Sequence, residues 1–112
     1  MRNPLIGRTI LSLTLGEGGS FVRFLLADGE QIARCEGDCC SVTWIEHIEL
    51  PALGFPAKVL AVENLNMPNL EGMEGHDVIT YYGCKVSTDR GDIILDYRNA
   101  SNGFYGGKLD WD

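Results

Sequence analysis

The chain has 112 residues, 45% apolar and 22% charged, a composition that fits one globular domain with a single core and excludes a disordered segment. Nine Lys and Arg stand against sixteen Asp and Glu, and the resulting net charge of −7 counts against a nucleic-acid backbone as partner, because phosphate contacts need clustered cations. What remains is solubility, the preferred reading, with the binding of a basic protein surface or the copying of a nucleic acid's charge as alternatives.

The opening MRNPLIGRTILSLTL is broken by Arg8, Thr9 and Ser12 and is followed by no small-residue cleavage site, so it does not read as a signal peptide. No run of apolar residues is long enough to span a membrane. The expected setting is therefore the cytoplasm, with Cys35, Cys39, Cys40 and Cys84 as thiols.

In chain order, Thr9–Leu15 alternates Leu11, Leu13 and Leu15 against Ile10, Ser12 and Thr14, the period-two pattern of a strand with one apolar face. Ser20–Ala27 is rich in aromatic and branched residues. Asp28-Gly29 then turns it tightly into a third strand, Glu30–Glu36. The period changes in DCCSVTWIEHIEL, where Val42, Trp44, Ile45 and Ile48 fall at helical spacing. Ser41 or Thr43 supplies an N-cap and Thr43 with Glu46 a capping box, predicting a short helix that ends before Pro51. Trp44 is its expected anchor against the sheet. Ala57–Asn66 reads as a strand and MPNLEGMEG as an acidic loop. Asp77–Thr88, a turn at Asp89-Arg90-Gly91-Asp92, Ile93–Arg98 and Phe104–Trp111 return to strand character. The expected fold is α+β over residues 1–112: a curved antiparallel sheet of about six strands packed on one short helix.

Three cysteines and a histidine within CEGDCCSVTWIEH raise the question of a metal. Cys35-x3-Cys39-Cys40 lacks the matched ligand pairs of a structural zinc site, and Cys84 with His47 or His76 completes a set only through folding, so small buried hydrophobes are the preferred reading of Cys35, Cys39, Cys40 and Cys84. A thiolate nucleophile at Cys39 or Cys40 ranks last, since no histidine is placed to serve it. The acid pairs Asp38 with Glu46 and Asp92 with Asp96 read as solvated residues, and no cofactor is implied. YRNASNGFYGG is the richest stretch. Arg98 is a forked donor, Asn99, Ser101 and Asn102 offer short polar side chains, Tyr97 and Tyr105 offer stacking faces, and Gly103 and Gly106 allow close approach of a ligand. These eight residues are the candidate ligand site, against the alternative of a self-satisfied loop closing a sheet.

GDCCSVTWIEHI, YRNASNGFYGG and the N-terminal LIGRTI together resemble a family of small domains of unknown function found in bacteriophage and bacterial genomes. The likeness spans nearly the whole chain, and its pattern is written at Asp38, Cys39, Cys40, Ser41, Trp44, Arg98, Asn99, Ser101, Asn102, Gly103, Tyr105, Gly106 and Gly107. It implies a cytoplasmic, phage-linked origin and transfers no mechanism. The leading functional expectation is a non-enzymatic interaction module acting on a host protein with a basic surface. A pocket for a small anionic metabolite or nucleotide is the alternative, and a cysteine-dependent or metal-assisted enzyme the third.

Overall fold

The computed structural model describes residues 3–37, 42–66, 70–73, 77–101 and 107–111; the side chains of 66, 70–73, 77, 78, 80 and 101 lie outside that description. Among the described residues nine strands follow one another: β1 Thr9–Leu15, β2 Phe21–Leu26, β3 Gly29–Gly37, β4 Val42–Glu49, β5 Ala57–Asn66, β6 Leu70–Met73, β7 Asp77–Thr88, β8 Gly91–Ser101 and β9 Gly107–Trp111. The expected α+β architecture is overturned. Among the described residues the only helical piece is a three-residue 3₁₀ turn at Glu17–Gly19, and the segment read as a helix is strand β4.

The physical reason is a bulge. β4 pairs antiparallel with β8, and the register slips between Ile45, opposite Tyr97, and His47, opposite Asp96. Glu46 is the extra residue, so the inward-facing Ile45 and Ile48 stand three apart and imitate one helical turn. Similar slips fall between Ile10 and Ser12 in β1 and between Val59 and Ala61 in β5. They turn Leu11 and Leu60 outward, leaving Leu11 43% and Leu60 57% exposed, so the apolar face expected of Thr9–Leu15 is split. Two expected hairpins are present: a two-residue turn at Ala27-Asp28 pairs Leu26 with Gly29, and Asp89-Arg90 pairs Thr88 with Gly91.

The strand order is β4-β8-β7-β5-β1-β2-β3-β9, with β6 also on β7 and every ladder antiparallel. β5 links the halves: Ala57 and Lys58 pair with β1, and the strand beyond them pairs with β7. The sheet curls until β4 comes against β3 and β9. Side chains and close backbone approaches hold this seam, for Thr43 Oγ1 donates to the Glu36 carbonyl at 3.2 Å and Gly19 packs its backbone on Ile45. The curl encloses one core of Ile10, Val22, Phe24, Leu26, Ala33, Ile45, Val59, Cys84, Val86, Ile93, Leu95 and Tyr97. Leu5, fully buried, joins it from the N-terminal turn, whose Gly7 amide donates to the Val59 carbonyl at 2.9 Å. Trp111 of β9 stacks on Phe24 at 5.8 Å. Among the described residues no helix is long and apolar enough to cross a membrane.

Candidate functional site

β8 carries the YRN stretch as strand, not as loop, and alternation therefore divides it between two faces. Tyr97 and Asn99 turn into the curl, whereas Arg98 turns out. The structure thus brings Tyr97 and Asn99 together and separates both from Arg98. Ser101 ends β8, and Asn102, Gly103, Tyr105 and Gly106 lie outside the described residues. Cys39, Cys40 and His76 do as well.

The inner cluster is polar at its edge and closed. Asn99 is fully buried; its Nδ2 donates to Thr43 Oγ1 at 2.8 Å, while its Oδ1 has no partner among the described residues. Thr43 is thereby a seam residue, not a helix cap. Tyr97 stacks on Tyr82 at 5.1 Å, and the Tyr82 hydroxyl accepts the Gly107 amide at 3.3 Å. Burial raises the Tyr97 hydroxyl to about 12, with smaller contributions from Cys84, Tyr82 and Cys35. Burial likewise lifts the thiols of Cys35 and Cys84 to about 11, so neither is a thiolate at neutral pH. His47 is exposed on the outer side of β4, across the sheet from buried Cys84. Cys35, Cys84 and His47 are therefore not gathered into a ligand set, and among the described residues no group of three or more His, Cys, Asp or Glu is placed to hold a metal.

The outer face of β4, β8, β7 and the adjoining part of β5 is different. Trp44, Arg98 and Tyr81 form one cross-strand row, since Trp44 pairs with Arg98 and Arg98 with Tyr81. The Arg98 guanidinium lies over the Tyr81 ring at 4.3 Å from its centroid and reaches Asp96 Oδ2 at 3.3 Å and Glu46 Oε1 at 3.5 Å. Alternation makes the last contact possible, because Glu46 lies two residues beyond Trp44 on the same side of β4, and the Trp44 ring N–H donates to Glu46 Oε1 at 3.2 Å. Burial alone lowers the Arg98 pKa, but the Asp96 hydrogen bond and charge, with Tyr81 and Glu46, outweigh it and leave the guanidinium above its ordinary value. Lys85 repeats the motif one step along, 3.7 Å from both Glu63 and Asp92.

Among the described residues five carboxylates, Glu46, Glu49, Glu63, Asp92 and Asp96, thus share the β4–β8–β7 face and the part of β5 paired with it with the cations Arg98 and Lys85, and each of these two is already held between two acids. Asp92 and Asp96, weighed from sequence as one pair, serve different cations. Tyr81 and Lys85 were not singled out in the sequence. Their signal was the register of TYYGCK against DYR, which sets Tyr81 beside Arg98 on one face and Tyr82 beside Tyr97 on the other. Trp44 is partly exposed and turned outward beside Arg98, not packed into the core as an anchor.

Fold and face together define an all-antiparallel curled-sheet domain with a filled interior and an acidic outer face centred on two aromatic rings. The chain belongs to the domain of unknown function family DUF7448, whose model matches residues 3–111. No curated protein and no solved structure matches it.

Proposed function

We propose that this chain is a non-enzymatic interaction module whose outer β4–β8–β7–β5 face docks on a basic polypeptide surface. The excess of carboxylates on that face carries the reading. With Lys85 and Arg98 each neutralised twice over, the face projects a negative potential that attracts Lys- and Arg-rich surfaces and repels nucleic-acid phosphate. The described interior agrees with the non-enzymatic half, since the Cys84 thiol and Tyr97 hydroxyl in the core and the Cys35 thiol packed against it are held protonated at neutral pH by burial. The phage-linked, cytoplasmic setting implied by the resemblance belongs to this reading, with a host protein as the basic partner.

Titration calorimetry with an arginine-rich peptide between low and physiological salt tests it. Binding should weaken steeply with salt, and the triple variant Glu49→Gln, Glu63→Gln, Asp92→Asn should bind about tenfold more weakly, a few tenths of a kcal/mol to one kcal/mol per rim charge. A salt-insensitive affinity, or a triple variant that binds like the parent, removes the proposal.

A further inference from the structure

Within that docking reading, on which this inference rests, one residue stands apart. Trp44 lies on β4, the strand that ends the sheet order, partly exposed, with its ring N–H fixed to Glu46. Among the described residues no cation lies over it, whereas the next aromatic ring in the row, Tyr81, is covered by the molecule's own Arg98. The intramolecular arrangement at Tyr81 is a guanidinium stacked on an aromatic ring with carboxylates at its edge. Trp44 offers the same elements with the cation missing: a larger, more electron-rich ring and a carboxylate at its edge.

We infer that Trp44 is the seat for a guanidinium of the basic partner, with the indole taking its flat face and Glu46 taking its N–H groups. The Glu46 side chain is 46% exposed, and its Oε1 already accepts from the Trp44 ring N–H and pairs with Arg98, so its second oxygen is the acceptor the partner meets. The neighbouring carboxylates supply attraction at a distance, while Trp44 supplies preference for arginine over lysine, because an ammonium forms no planar stack.

The test compares an arginine-rich peptide with a lysine-rich peptide of equal length and charge. The parent protein should bind the arginine peptide several-fold more tightly, with a change in indole emission at saturation that Trp44→Phe abolishes. Trp44→Leu should lose about tenfold in affinity for the arginine peptide, little for the lysine peptide, and leave the salt dependence of both intact. Trp44→Phe keeps a ring and the strand packing and should fall between, which separates lost recognition from misfolding. Equal affinity of the parent for both peptides, or unchanged arginine binding in Trp44→Leu, overturns the inference while leaving the acidic face standing. Failure of the parent to bind either peptide brings down the docking reading and this inference with it.

Discussion

Substituting Gly107 by Ala tests whether the curled sheet is closed at its seam by side-chain contact. A Cβ on Gly107 would stand 2.9 Å from Thr43 Cγ2, nearer still to Thr43 Oγ1, and 3.1 Å from Asn99 Nδ2. The Gly107 backbone lies outside the left-handed region, so alanine suffers no conformational strain there, and overpacking of about 2 kcal/mol is the dominant cost. Thr43→Ala alone removes the hydrogen bond from Asn99 and the one to the Glu36 carbonyl, leaving a buried amide without its partner, again about 2 kcal/mol. Combined, the two do not add. Without Thr43 Oγ1 and Cγ2 the new methyl has room, and the double variant should be destabilised by little more than Thr43→Ala, a coupling of about 2 kcal/mol. Urea unfolding of the four proteins at fixed pH reads this directly. Additivity within about 0.5 kcal/mol would show that β9 does not lie on Thr43, and the closed seam would have to be abandoned.

Two further outcomes follow from the same interior. Gly19→Ala meets the Ile45 carbonyl, a backbone atom that no truncation relieves, at φ +74, and should cost about 2–4 kcal/mol in urea unfolding; a loss below about 1 kcal/mol would place the 3₁₀ turn away from β4. The Cys84 thiol is raised from 9.0 to about 11 by burial, so folding holds it neutral where the unfolded chain would ionise it. Its stabilising contribution is complete below pH 9 and is lost as pH rises to about 11, roughly 2 kcal/mol, with half-buried Cys35 adding less. Unfolding under reductant at pH 8 and pH 10.5 should show the fall, Cys84→Ala should show a smaller one, and a variant with the parent's slope would refute the assignment.

The strands were legible where alternation ran unbroken. Phe21–Leu26 and Asp77–Thr88 carry apolar residues on a pleat, and both hairpin turns hold the Asp expected of a tight reversal. What misled was local. A single bulged residue in β4 shifted the inward positions from a spacing of two to three, and the segment then satisfied a helical period, an N-cap and a capping box at once. Only the partner strand decides such a case: in the β4–β8 ladder Thr43 finds Asn99 on the inner face and Trp44 finds Arg98 on the outer face, contacts at sequence separations that no window spans. The polar stretch after Tyr97 misled in the opposite direction. Arg, Asn and Ser predict a loop by composition, yet pairing with β4 on one side and β7 on the other holds Arg98, Asn99 and Ala100 extended.

That double pairing explains why the candidate site divides as it does. A loop could have turned Tyr97, Arg98 and Asn99 toward one ligand; a strand flanked on both sides must send them alternately inward and outward. Inside, Tyr97 and Asn99 are engaged with Tyr82 and Thr43 and serve the closure of the sheet. Outside, Arg98 is drawn onto Tyr81 and between two acids, which removes one of the few cations from an already acidic face. The same three-residue run therefore stabilises the interior and deepens the negative surface. On the same face of the neighbouring strand, Trp44 keeps its ring N–H on Glu46, two residues along, and among the described residues no cation covers its ring.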